Sequence, residues 1–204
     1  GIRTVELERT ETTDKDGNGE FCFRVNGKKI FILGTNWVPI DALHCNDQER
    51  LPKALELLDS IGCNMVRCWG GNVYESDAFF DFCDEKGILV WQDFAMGCAV
   101  YPDEAHFAQK LEEEAVYQIK RLRNHPSLAL WAGDNECDLA LGWAGIKQDP
   151  NHNSLTRKVL HRCVEQHDYA RPYLPSSPFV SEAAYSGKGM MPEDHLWGPR
   201  DYLK

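Results

Sequence analysis

The sequence predicts an α/β fold, the N-terminal portion of a (β/α)8 barrel, on three observations. Strand-like and helix-like stretches alternate from about residue 28 onward. The strands are apolar at nearly every position, the pattern of parallel strands covered on both faces. Several of them end in polar or aromatic side chains, which a barrel gathers on one rim.

Taken in order, "GIRTVELERTE" sets Ile2, Val5 and Leu7 among polar residues and reads as a strand. "DKDGNGE" supplies turn residues before a second strand, "FCFRV". Asp14, Asp16, Asn18 and Gly19 match the opening of a calcium loop, but Val25 stands where the loop needs its bidentate Glu, so a hairpin is expected. "KKIFILGTNW" is the first barrel strand, ending at Asn36 and Trp37. Leu51, Leu55, Leu58 and Ile61 then form the stripe of an amphipathic helix. "NMVRCWGG" is a short strand ending at Arg67 and Trp69, and "SDAFFDFCDEKG" a helix with a Ser start and a Gly stop. "ILVWQDF" is the next strand. A long helix carries Phe107, Leu111, Ala115, Ile119 and Leu122 on one face, with Pro126 closing it. "SLALWAGDNE" is the fourth barrel strand, "SLTRKVLHRCVEQHDYARP" a helix, and "YLPSSPF" a fifth strand. Trp91 and Trp131 lie within apolar runs and read as core. A complete barrel needs eight strands, so about five to six strand–helix units are expected to be part of a larger domain.

Composition narrows the function classes. The 204 residues are 43% hydrophobic, ample for a core, and their net charge of −10 argues against nucleic acid or an anionic membrane as partner. No apolar run reaches the roughly 18 residues that read as a membrane span. The eight cysteines show no Cys-x-x-Cys spacing, so reduced thiols are expected. The seven histidines show no ligand spacing, so no metal and no cofactor is expected. With no Met and no signal peptide at its start, the chain reads as an excised piece, and its compartment stays open.

The rim residues suggest a chemistry. A carboxylic acid beside aromatic walls has its charged form disfavoured, the state wanted in a general acid that protonates a leaving-group oxygen. Glycoside hydrolysis needs such an acid and a second carboxylate, about 5 to 5.5 Å away in retaining enzymes. The six tryptophans cluster near the expected strand ends, and indole faces suit the C–H faces of sugars. From the residues alone, Glu136 could equally be an acid favoured at a helix start, and Arg67 a structural ion-pair partner.

"GTNWVPIDAL", "NMVRCWGGNVYESDAFFDFCDEKGILVWQDF", "YP" and "RLRNHPSLALWAGDNE" resemble, in order, the catalytic TIM barrel of glycoside hydrolase family 2, in its β-mannosidase branch. The opening "GIRTVEL" is similar to the last strand of the immunoglobulin-like domain that precedes that barrel. The resemblance therefore implies a tail and linker over residues 1–20 and a partial barrel over 21–204. It implies a retaining, exo-acting β-glycosidase, most of all a β-mannosidase, acting on an oligosaccharide or glycoside. An exo-β-glucosaminidase, another β-glycosidase of the family, or a carbohydrate-binding pseudoenzyme are the alternatives. Position by position, Glu136 matches the acid/base and Asn135 the residue that bonds the sugar 2-OH. Arg67 matches the Arg that supports the nucleophile, and Trp69 an aromatic wall. Trp143 matches a subsite Trp loosely. In "DHLWGPRDY", Trp197 and Tyr202 match a further Trp and Tyr, although "PRDY" departs from the family's common wording. The nucleophile is expected on a later strand: Glu182 and Glu193 lie in loop-like sequence. The remainder of the polypeptide is then needed to complete the barrel, and the piece alone is expected to be inactive. The resemblance leaves periplasmic, extracellular and lysosomal settings all open.

Overall fold

The structure is a computed structural model that describes residues 3–10 and 19–195. Two sheets organise it. Strands β1 (Val5–Thr10), β2 (Glu20–Val25) and β3 (Lys28–Ile30) form an antiparallel sheet in the order β1-β2-β3. Val5 pairs with Val25 and Thr10 with Glu20, so the expected hairpin is present, and its pairing crosses the boundary expected between residues 20 and 21.

The second sheet is parallel, in the unbroken order β4-β5-β6-β7-β8. Its strands are β4 (Gly34–Trp37), β5 (Met65–Cys68), β6 (Leu89–Asp93), β7 (Leu128–Ala132) and β8 (Tyr173–Leu174). Helices α1 (Asp47–Ser60), α2 (Asp77–Lys86), α3 (Ala105–Leu122), and a π-wound Leu155–Leu160 that runs into α5 (His161–His167) connect them in turn. A short α4 (Cys137–Trp143) follows β7, and α6 (Glu182–Tyr185) follows β8. Sequential strands lying side by side in parallel, each joined by a helix, are the topology of a (β/α)8 barrel portion. Among the described residues no helix is long and apolar enough to cross a membrane.

The run "KKIFILGTNW" is not one strand. Its first part pairs antiparallel with β2 and its second parallel with β5. Asn64 redirects the chain between them: its Oδ1 accepts Leu33 N–H at 2.9 Å and its Nδ2 donates to Phe31 O at 2.8 Å. Glu182, expected in a loop, instead opens the four-residue α6. The fifth strand shortens to Tyr173–Leu174, with Ser177 continuing as an isolated bridge to Asn135.

Side-chain alternation divides the core in two. Outward residues of the parallel strands, Val66, Cys68, Val90 and Trp131, pack with Leu55 and Leu58 of α1, Phe79 and Phe80 of α2, and Ile119 of α3. The helices obey the stripes read from sequence because burying an apolar face supplies most of a helix's stability. Inward residues Met65, Leu89 and Leu130 pack instead against Val5 and Phe23 of the antiparallel sheet. That sheet lies at the N-terminal ends of the strands, where Arg3 donates to the carbonyls of Pro126 and Leu128. The opposite, C-terminal ends are left for the polar residues.

Candidate active site

Alternation also selects which strand-end residues meet. Asn36 of β4 pairs in register with Arg67 of β5, and Arg67 with Trp91 of β6. All three border a cavity of about 520 Å³ between the hairpin sheet and the parallel strands. Trp37 and Trp131 have the opposite parity and point into the helix layer. Trp37 donates to Glu75 Oε1 at 2.9 Å, and Trp131 to Asp168 Oδ2 at 2.8 Å while stacking on Phe94. Trp91, expected in the core, is only partly buried and belongs to the inner constellation. A period-two count along each strand would have separated these tryptophans.

Arg67 is the hub. Its Nη2 donates to Asp93 Oδ2 at 2.6 Å and to Asn135 Oδ1 at 2.7 Å, and its Nη1 to Asn36 Oδ1 at 3.2 Å. Asp93 is fully enclosed and accepts further bonds from Trp91 Nε1 at 2.8 Å and Gly70 N–H at 3.0 Å. Burial pushes its carboxyl above the ordinary range, against the opposing pull of Arg67 and these donors. The guanidinium thus couples the ends of four elements and orients the Asn135 amide.

Asn135 and Glu136 lie just beyond β7, 3% and 5% exposed. Their backbone is tied on both sides. Asn135 N–H donates to Met96 O and Cys98 N–H to Asn135 O, while Glu136 N–H donates to Ser177 O at 2.9 Å. These ties prolong the sheet past its last regular pairs. They also hold Glu136 at φ 61°, a left-handed conformation that costs a non-glycine residue on the order of 1–3 kcal/mol. The turn starts α4 at once and keeps the side chain at the strand's mouth rather than along the helix.

The Glu136 carboxylate has three polar neighbours. His195 Nδ1 lies 2.6 Å from Oε1, and His195 Nε2 lies 3.1 Å from Ser177 Oγ. Cys98 Sγ lies 3.3 Å from Oε2 and Asn135 Nδ2 3.4 Å from the same oxygen. His195 and Cys98 were not singled out in the sequence: each sits in a loop, and no spacing announces either. With Glu136 ionised, Nδ1–H of His195 donates to it and Nε2 accepts the Ser177 hydroxyl.

The structure therefore brings Arg67, Asn135 and Glu136 into one bonded chain. Trp69 lies beside it, at the end of β5. Its ring lies over Gly71, where any Cβ would collide with the indole, and a Cβ on Gly70 would collide with Met96 O. The "WGG" wording is thus a steric requirement of the loop. Trp143 ends the helix that Glu136 starts and is 61% exposed. Trp197 and Tyr202 lie outside the described residues.

Two flanking acids serve the scaffold. Asp134 is buried; its Oδ1 accepts Ser176 Oγ at 2.6 Å and Cys137 N–H at 3.0 Å, while its Oδ2 has no partner among the described residues. Burial, then the nearby Asp138, pushes its carboxyl up to about 7. Asp138 forms a bidentate pair with Arg157, both bonds 2.6 Å. Glu193 is held by Arg9 Nε at 3.0 Å and by Phe179 N–H at 3.1 Å. Among the described residues, Asp81, Asp84 and His125 stand close enough together to hold an ion. Three of their ligand atoms are already used, His125 Nδ1 lying 2.7 Å from Asp84 Oδ2 and Ser127 N–H donating to Asp84 Oδ1, so the group reads as a clasp on the turn between α3 and β7.

Comparison with known proteins accords with this geometry. Residues 18–177 match the family model described as glycosyl hydrolases family 2, TIM barrel domain. The chain is 39% identical over 190 residues to the beta-mannosidase of Bos taurus and 38% identical over 193 residues to beta-mannosidase B of Aspergillus fumigatus. These alignments take in 87% and 88% of this chain but 21% and 22% of the relatives, so it spans about a fifth of their length. A solved beta-D-mannosidase of Dictyoglomus thermophilum superposes with TM-score 0.75 at 37% identity, covering 93% of this chain and 23% of that one. The exo-chitosanase CsxA of Amycolatopsis orientalis, 22% identical with TM-score 0.65, shares the fold. The chain belongs to glycosyl hydrolase family 2 and forms part of its TIM-barrel domain.

Proposed function

We propose that the protein to which this chain belongs is a retaining, exo-acting β-glycosidase that removes terminal β-linked mannose. The observation that carries the reading is the Arg67–Asn135–Glu136 chain at the mouth of β7, a buried carboxylic acid beside an amide held by a guanidinium. Similarity to three beta-mannosidases, at 37–39% identity, supports the choice of sugar.

In this reading Glu136 gives its proton to the departing glycosidic oxygen and then takes one from the water that releases the sugar. Asn135 bonds the sugar 2-OH, with Arg67 fixing the amide's orientation. Trp69, and Trp143 at the end of α4, offer surfaces to the glycan, and the resemblance adds Trp197 and Tyr202 as further aromatic contacts. The attacking carboxylate comes from a glutamate on another strand of the barrel, since Glu193 is engaged with Arg9 and Glu182 is the first residue of α6. The 204-residue piece by itself then has no normal turnover.

The test is a panel of aryl β-glycosides on the full-length protein, with mannoside, glucosaminide, glucuronide and galactoside compared by kcat/KM. Mannoside should lead, and Glu136→Gln should lower its hydrolysis by about 10²–10⁴-fold. Preference for the amino sugar would overturn the mannoside assignment. An active Glu136→Gln variant would overturn the catalytic role of Glu136, and mannose binding without hydrolysis by the unsubstituted protein would point to a binding protein.

A further inference from the structure

We propose that Cys98 is a positioning residue for the acid/base, its sulfur bridging Asn135 and Glu136. The inference rests on the reading of Glu136 given above. Cys98 Sγ accepts from Asn135 Nδ2 at 3.1 Å and stands 3.3 Å from Glu136 Oε2, able to donate its own proton there. One atom thus touches both groups assigned to the sugar, the amide for the 2-OH and the carboxyl for the glycosidic oxygen.

The backbone is shaped for this contact. Cys98 has φ 52°, left-handed and unfavourable for a residue with a Cβ. The bond from its N–H to Asn135 O at 2.7 Å, the bond from Gly97 N–H to Tyr101 Oη at 2.9 Å, and the bridge between Gly97 and Asn135 hold it there. Although the residue as a whole is exposed, desolvation of its sulfur, then the Glu136 carboxylate, keep its thiol above the ordinary range. Cys98 therefore stays a neutral S–H beside the acid.

A thiol suits a group that must change protonation state within one catalytic cycle. It is a weak donor and a weak acceptor. A hydroxyl would favour the ionised carboxylate in both half-reactions, whereas a methyl would remove the one contact that touches both Oε2 and the Asn135 amide, leaving Arg67 and Asn135 to hold them. The other groups around Glu136 are accounted for. His195, after α6, holds Oε1; Arg67 and Asp93 act through the Asn135 amide; Asp134 and Asp138 face Ser176 and Arg157 respectively. Cys98 is the neighbour on the β6 side.

Two measurements on the full-length protein test this. The first needs no turnover: the rate at which iodoacetamide alkylates Cys98, read by peptide mass spectrometry across pH. Glu136→Gln removes the neighbouring charge and should speed the reaction several-fold near pH 8; an unchanged rate would overturn the contact. The second is the pH profile of kcat/KM on the best aryl glycoside. Cys98→Ser should move the basic limb to lower pH by on the order of half a unit, and Cys98→Ala should move it the other way, with KM little altered. Limbs that stay fixed, or move together, would mean that Cys98 only fills space. A full-length protein inactive on every glycoside would refute the proposed function and leave the alkylation rate to decide this inference.

Discussion

The two ends of the Arg67 network differ in how they are held. At β7, strands β6 and β8 flank the chain, every residue of Leu128–Ala132 is buried, and backbone bonds continue past the strand to Asn135 and Glu136. At β4, β5 is the neighbour among the described residues of this part of the barrel, and Gly34, Thr35 and Asn36 are exposed in it. The same guanidinium touches both, at 2.7 Å to Asn135 and 3.2 Å to Asn36. The comparison teaches that the acid's geometry is set from the β6–β8 side, where Arg67 makes the shorter of its two amide bonds and backbone bonds flank residues 135 and 136.

The strongest way to break this comparison is to remove the shared guanidinium. Arg67→Ala leaves Asp93 enclosed and without its cation, and should destabilise the protein by about 3–5 kcal/mol in urea unfolding. A loss below 1 kcal/mol would mean that Asp93 is held by Gly70 and Trp91 alone.

A middle-sized effect sharpens the β7 side. The folded-state value of about 7 for Asp134 lies above its ordinary 3.8, so the folded chain keeps a proton that the unfolded chain has released. That contribution is complete below about pH 4, shrinks by about 1.4 kcal/mol per pH unit as pH rises toward 7, and is then gone. Asp134→Asn should flatten this fall, measured as unfolding free energy at pH 5, 6, 7 and 8. Equal slopes in the two proteins would show that Asp134 does not carry the proton.

The smallest effect tests the β4 side. Asn36→Ala removes one exposed bond to Arg67 and should cost about 0.5–1 kcal/mol, with kcat/KM falling by well under tenfold. A loss as large as that of Asn135→Ala would erase the distinction between the two ends.

Much of this was legible in the sequence. The apolar runs of β5, β6 and β7, broken only at the polar strand ends, announced strands covered on both faces, and the hairpin followed from "DKDGNGE". The resemblance singled out Glu136, Asn135 and Arg67, and the structure brings these three into contact. What stayed hidden came from long-range pairing. Cys98 and His195 reach Glu136 because the loops after β6 and α6 close on the β7 end, and a one-dimensional pattern contains no record of that closure. The orientation of Trp37 and Trp131 was recoverable from strand parity, whereas the turn at Asn64 that splits "KKIFILGTNW" depends on three bonds to one residue, two of them to its side chain.

The bracing of residues 135 and 136 from both flanks has a practical meaning for redesign. The backbone anchors of residues 135 and 136 lie at Met96, Cys98 and Ser177, and Tyr101 braces Gly97 beside them, so the stretch 144–149 carries none of these contacts. On the proposed reading, that stretch is where a segment could be lengthened or swapped to change which aglycones are accepted, with Glu136 staying where it is.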